Sequence, residues 1–452
     1  MSKYQLRTKT LDVLVQVGDG GGFSHLLIDQ TIEKMNWSRK DQALFTELIY
    51  GTLQRKLTLD YFLNHFIKQP KKVEQWVKWL LYVSFYQMHY LDKVPDHAII
   101  HEAVEIAKQK GHQGIGKFVN GILREAQRQG FPSFEQIEDP IERLAIETSH
   151  PSWLVERWID SYGEDQARAI CFANLETKPI SVRINPLKLT REEAIEQLTA
   201  SGYQVEQSQF SEQGLIIEKG NILDHDLFKT GALTIQDQSS MLVVEMMDIQ
   251  PDQLVLDACS APGGKATHIG EKLNNTGHVH AYDLHDKKVK LVKKKAEQLG
   301  LINLRTAALD GRNLNQKYEQ ETFDRILIDA PCSGFGVIRS KPDIKYSKTA
   351  DDVDQLAHVQ YELLEKIAPL LKKNGKLLYS TCTVDPTENE VVVTEFLINN
   401  QKYEVDPDFF RDLPDFLNKE IEHLQVGIQI FPDEFNSDGF FLTRLRRKSD
   451  EE

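Results

Sequence analysis

Cysteine is scarce in this chain. There are four, Cys171, Cys259, Cys332 and Cys382, among 452 residues. No two are spaced as CxxC and no HExxH occurs, so neither a disulfide framework nor a zinc motif is present and no metal is expected. Long apolar runs are missing as well. The most apolar stretch, Trp76 to Leu91, is interrupted by Lys78, Gln87 and His89. It is too short to span a bilayer and reads as a buried helix, which leaves no membrane partner to expect. The first ten residues are polar and basic with no apolar segment behind them. No signal peptide is expected, and the cytoplasm is the natural compartment. Positive charge is also in deficit, at −14 net. The deficit is uneven: residues 1–130 hold 18 Lys+Arg against 13 Asp+Glu, a surplus of +5, and the rest carries −19. That surplus suits either a charged helix surface or a local nucleic-acid contact.

What is present divides into three textures, about what this length predicts. From residue 4 to about 130, apolar residues recur at helical spacing, as in Leu44-Phe45-Leu48-Ile49 and Leu59-Phe62-Leu63-Phe66. This predicts an all-α bundle, closed by Gly130-Phe-Pro132. A helix is expected to start at Ser149-His-Pro-Ser152. From about 177 to 235, strand-like Ser181–Asn185, Gly214–Glu218 and Ala232–Ile235 surround a helical Arg191–Ala200, a small α+β module. From 250 onward, strands at 254–258, 279–283, 304–307, 325–329 and 376–381 alternate with helices such as 286–299 and 352–373. That alternation predicts a mainly parallel, doubly wound sheet.

The chemistry gathers at the ends of those strands, where open α/β sheets bind ligands. Asp257-Ala-Cys259-Ser260-Ala261-Pro262-Gly263-Gly264-Lys265 joins a strand to a helix. Its glycines let backbone approach a ligand, and the helix amino end suits an anionic group. The turn is not GxGxxG, so a dinucleotide is not the best match. Asp283 ends the second strand, placed for ribose hydroxyls, and Asp310 follows the third, placed for an adenine amino group. A lone strand-end carboxylate is common; with the glycine turn, the set fits S-adenosyl-methionine. Asp329-Ala-Pro-Cys332 follows the fourth strand and Thr381-Cys382-Thr383 ends the fifth. A single thiol can be a small buried apolar group. Two thiols at adjacent strand ends suit attack on a ring carbon. Carbon 5 of cytosine is a poor nucleophile until a thiolate adds at carbon 6. Asp329 can steady such a ring through its N3 or amino edge.

Other features read more plainly. His97 and His101 share a helix face, and His278 and His280 a strand face, where both are expected to pack. Asp19-Gly-Gly-Gly22 has no strand before it and no GK[ST] after it, so it reads as a helix–helix loop.

These residues resemble a known family. Gln236-Asp-Gln-Ser-Ser240, Asp257–Lys265, Asp329–Gly334, Ser380-Thr-Cys-Thr383 and Asp438–Arg444 are similar to the RNA cytosine-5 methyltransferases. Arg39–Gly51 and Val119–Arg124 resemble a NusB-like helical RNA-binding domain. That pairing is the layout of the RsmB (Sun/Fmu) family of 16S rRNA cytosine-5 methyltransferases. The resemblance implies a multidomain chain: residues 1–135 as the NusB-like bundle, 136–235 as a helical connector and small α+β RNA-binding module, and 236–448 as a Rossmann-like class I methyltransferase domain. It implies Cys382 as nucleophile, Cys332 as the group that assists release, and Asp329 and Lys265 beside them. It implies a donor pocket of Cys259 to Lys265 with Asp283, Asp310 and Asp329. The expected partner is 16S rRNA or an assembling small subunit, bound by a monomer. The same chemistry on tRNA or 23S rRNA is the alternative, and a non-enzymatic RNA-binding or antitermination factor a more distant one. In Val337-Ile-Arg-Ser-Lys-Pro-Asp343, many relatives carry two adjacent arginines. Here Ser340 takes the second place and Lys341 can supply its charge to RNA.

Overall fold

A computed structural model describes residues 4–18, 24–420 and 423–448. The Asp19–Gly22 loop lies outside the described residues. The chain forms two compact units: residues 1–175 with 338–348, and residues 176–337 with 349–452.

The first unit is helical, as the 3.6-residue spacing predicts. Its helices are α1 (Gln5–Gly18), α2 (Ser24–Lys34), α3 (Arg39–Gln54), α4 (Lys56–Phe66), α5 (Gln75–Tyr90), α6 (Asp96–Lys110) and α7 (Gln113–Gln129), followed by α8 (Pro140–Thr148) and α9 (Ser152–Ala173). Ser38 caps α3 by accepting from the Asp41 N–H. The apolar faces of α1 to α7 meet in one core around Phe45, Phe62, Trp79 and Phe85. The stretch read as a buried helix is α5, and it lies at the centre of that core.

The 338–348 segment belongs to this unit. Ile338 is buried, Arg339 Nε donates to the Ala173 carbonyl at 2.9 Å, and Asp343 accepts from Ser24 Oγ at 2.8 Å. Arg339 thus holds backbone within this unit, while Ser340 and Lys341, the latter read from sequence as supplying charge to RNA, are exposed.

The second unit opens with an antiparallel sheet of β1 (Ile180–Ile184), β2 (Gln204–Gln207), β3 (Gly214–Lys219) and β4 (Leu233–Ile235), in the order β2-β3-β1-β4. The helix Arg191–Ala200 on it starts with a Thr190/Glu193 capping box. The larger sheet holds β5 (Leu254–Asp257), β6 (His278–Asp283), β7 (Leu304–Ala308), β8 (Phe323–Asp329), β9 (Leu371–Thr381), β10 (Tyr403–Val405), β11 (His423–Leu424), β12 (Gly427–Ile430) and β13 (Phe440–Arg447). Its order is β11-β12-β13-β9-β8-β5-β6-β7, with β10 on β13. Strands β5 to β9 pair in parallel. β13 runs antiparallel between β9 and β12, so the sheet is mixed.

Two local readings need correction. The helix expected over 352–373 spans Ala350–Ile367 and gives way to a 3-10 turn at Ala368–Leu370. Pro369 cannot continue it, because proline lacks the N–H and disfavours helix at the preceding residue. Of the strand histidines, His280 packs against Tyr318 and Phe323, but His278 is exposed at the strand's start.

Candidate active site

Strand order reverses at β5, with β6 and β7 on one side and β8 and β9 on the other, which makes a crevice at the carboxyl ends. The turn after β5 runs into the helix Gly264–Lys272. Gly263 takes φ +101°, a conformation that side-chain-bearing residues rarely adopt. A Cβ built on Gly264 would meet nothing within 4 Å, so backbone faces open space there. Asp283, at the end of β6, accepts from the Ala261 N–H at 3.3 Å and the His285 N–H at 3.2 Å. Asp310 follows β7 but is engaged by Arg312, whose Nη2 donates at 2.7 Å. That bond holds the Asp310 carboxyl below the usual range.

Asp257 lies fully buried beneath the turn, and its Oδ2 has no hydrogen-bond partner. Burial, then the charge of Asp329, pushes its carboxyl up to about 8, so it is largely protonated at neutral pH. Burial and the Asp257 charge likewise raise the Cys259 thiol well above its usual value.

The two other thiols meet. Asp329 pairs with Ser380 in the β8–β9 ladder. Its Oδ1 accepts from Ser380 Oγ at 2.9 Å and its Oδ2 from Lys265 Nζ at 2.8 Å. Lys265 also lies 4.9 Å from the Phe440 ring centroid. Three residues past Asp329 and one past β9, the Cys332 and Cys382 sulfurs stand 3.3 Å apart. Their hydrogen bond, then burial, keeps the Cys332 thiol well above its usual value.

Sequence reading missed what fixes this pair. Glu388, almost wholly buried, accepts from the Ser333 N–H at 2.8 Å, from Ser333 Oγ, and from Gln360 Nε2 at 2.9 Å. Gln360 Nε2 also donates to the Pro331 carbonyl at 2.9 Å, and Ser333 Oγ lies 2.8 Å from Thr383 Oγ1. One carboxylate thus ties together the loops that carry both thiols. Burial raises it to about 7 and those donors oppose the rise. The one available signal was an acid six residues beyond Cys382, in Asp385-Pro-Thr-Glu388, a run that reads otherwise as a helix start. Close backbone approach adds to the fastening. Gly336 N donates to the Cys382 carbonyl at 3.0 Å, and Gly439 N to the Gly336 carbonyl at 2.9 Å. The Gln236–Ser240 segment contributes Asp237, which caps the helix Gln238–Glu245 and pairs with Lys178, as does Asp438.

A glycine turn after the first strand, carboxylates after the next two and a crevice at the reversal define an S-adenosyl-methionine-dependent methyltransferase. Family models agree: "16S rRNA methyltransferase RsmB/F" matches residues 244–446, the NusB family residues 5–128, and the RsmF/B-like ferredoxin-like domain residues 150–223. The "Probable ribosomal RNA small subunit methyltransferase B" of Bacillus subtilis (strain 168) is 47% identical across 99% of this chain and 100% of its own. "Ribosomal RNA small subunit methyltransferase B" of Serratia proteamaculans (strain 568) is 33% identical across 98% and 99%. The crystal structure of PH0851, 24% identical, shares the fold at a TM-score of 0.82 over 97% of this chain and 99% of that one. The chain belongs to the RsmB/F family of 16S rRNA methyltransferases.

Proposed function

We propose that this protein methylates carbon 5 of one cytosine in 16S rRNA through a covalent adduct with Cys382. The observation that carries the reading is the pair of thiols 3.3 Å apart beside the Lys265–Asp329 ion pair. One thiol alone suits packing; two held together at adjacent strand ends suit an addition followed by an elimination.

The residues fit the donor. Open space over Gly264, the unpartnered Ser260 Oγ and the carboxylate of Asp283 at the turn are groups that a charged, hydroxyl-bearing ligand can satisfy. Bound there, S-adenosyl-methionine supplies an electrophilic methyl. In this reading, residues Cys259 to Lys265 with Asp283, Asp310 and Asp329 hold the donor; Asp310 contributes while paired to Arg312. Cys382, as the thiolate, adds through Sγ to carbon 6 of an unstacked cytosine, and the electron pair released makes carbon 5 nucleophilic. Unstacking costs least in a loop. Asp329, fixed by Lys265 and Ser380, steadies the ring edge, and alignment governs the transfer. A base then takes the carbon-5 proton and the Cys382–carbon 6 bond breaks, assisted by Cys332. Residues 1–135 and 136–235 bind the RNA, and residues 236–448 do the chemistry. The chain acts as a cytoplasmic monomer on 16S rRNA or the assembling small subunit.

The test is Cys332→Ala with labelled small-subunit RNA and donor. A donor-dependent RNA–protein band on denaturing gels is expected, and Cys332→Ala/Cys382→Ala should abolish it. Clean turnover by the single variant with no such band would remove Cys332 from the release step.

A further inference from the structure

Away from the thiols, the second unit has a groove of about 420 Å³ between the small sheet and the helix Asp286–Leu299. Phe228 and Ile235 of the small module line it on one side and Leu291, Lys294 and Lys295 of the helix on the other, and Pro262 of the glycine turn lines it as well. Ile235 and Leu291 are exposed at 41% and 54%, and both line this one groove. The helix carries six lysines, Lys287, Lys288, Lys290, Lys293, Lys294 and Lys295, against Asp286 and Glu297, in a chain of net charge −14. Lys290 pairs with Asp286 at 2.7 Å, but among the described residues neither Lys294 nor Lys295 forms an ion pair. Burial, then Arg183, lowers the Lys295 ammonium to about 8, a cost that a bound anion would offset.

We propose that this groove binds a single-stranded segment of the substrate RNA, with phosphates at Lys294 and Lys295 and a base against Phe228, Ile235 and Leu291. The proposal rests on the reading of RNA as substrate. Unpaired cations beside exposed apolar walls match what single strands need, which is charge for the backbone and flat contact for bases. A concentration of lysine on one helix of an acidic protein is a local field that attracts polyanions. Through Pro262, a strand held here would abut the donor turn.

The test uses the full chain and small-subunit RNA, with binding measured across a salt series. Lys294→Glu/Lys295→Glu should weaken binding at least tenfold. It should also flatten the slope of log K against log salt by about 1.4, roughly 0.7 for each lost phosphate contact. Leu291→Ala should weaken binding about fivefold or more with the slope unchanged, as loss of base contact requires. The donor-induced rise in Tm should be intact in all variants. Wild-type affinity and slope in the lysine variant would overturn the proposal while leaving the methyltransferase reading in place. So would unchanged RNA affinity with loss of activity only on assembled subunits, which would assign the groove to a protein. Failure of the wild-type chain to bind small-subunit RNA, free or in an assembling subunit, would overturn both.

Discussion

Two buried cations, one in each unit, show how differently the units are held. Arg183 in β1 is fully buried and saturated. Its Nε donates to Glu271 at 2.7 Å, its Nη1 to Gln236 and to the Gly264 carbonyl at 2.9 Å, and its Nη2 to Thr267 at 3.2 Å. Lys345, in the segment that joins the helical unit, is as deeply buried but donates to the Gln54 carbonyl at 2.9 Å and otherwise lies by the Tyr346 ring. Burial drives its ammonium well below the usual value. Around Arg183, beside the glycine turn, the second unit is pinned by matched charge and hydrogen bonds; around Lys345 the helical unit's packing tolerates one poorly matched cation. A reacting centre needs atoms fixed to within a fraction of an ångström, and directional bonds supply that where packing alone does not.

That contrast can be broken or sharpened by substitution. The largest effect belongs to the site itself: Cys382→Ala should lower turnover by at least about 10³-fold, with donor binding kept. Arg183→Met should cost about 3–5 kcal/mol in urea unfolding, because Glu271 is left buried without its partner. A cost near zero would erase the distinction between the two cations. Asp329→Asn should lower kcat about 10²-fold with Tm nearly unchanged, since it loosens Lys265 without opening the core. Gly336→Ala should cost about 1–3 kcal/mol, because the new Cβ would fall 2.0 Å from the Gly439 carbonyl oxygen. The smallest effect has the opposite sign. Lys345→Met should be neutral or stabilise by about 1 kcal/mol at pH 7. Folding binds fewer protons at Lys345 than the unfolded chain does, so wild-type stability rises with pH up to the ordinary lysine value of 10.5. The gain from Lys345→Met should therefore shrink as pH is raised toward 10.

The strand-end residues were legible in the sequence because each ends an apolar run that only a buried strand explains. Cys332, Cys382, Asp329 and Asp257–Lys265 announce themselves by position along the chain. The helices were legible by period, and α5 by its apolar density. What stayed hidden depends on contacts across the fold. Glu388 is one acid among 68 Asp+Glu until the Pro331–Ser333 loop and the helix Ala350–Ile367 bring three donors to it. Asp310 looks free until Arg312 closes on it. Short strands such as β10 and β11 carry too few residues for a period to register, and the antiparallel β13 is placed by pairing with β9 rather than by its own pattern. The segment after Val337 drew attention by its resemblance to relatives with two arginines there, and the bond from Arg339 to the Ala173 carbonyl could not be foreseen from that pattern.

The central claim is that Cys382 adds to a cytosine that then takes a methyl at carbon 5. The direct measurement is bisulfite sequencing of total RNA from cells lacking this gene, complemented with the wild-type or the Cys382→Ala chain. The account predicts one 16S cytosine protected from conversion by the wild type and converted with Cys382→Ala. Protection restored equally by both chains, or found only in tRNA or 23S rRNA, would contradict it.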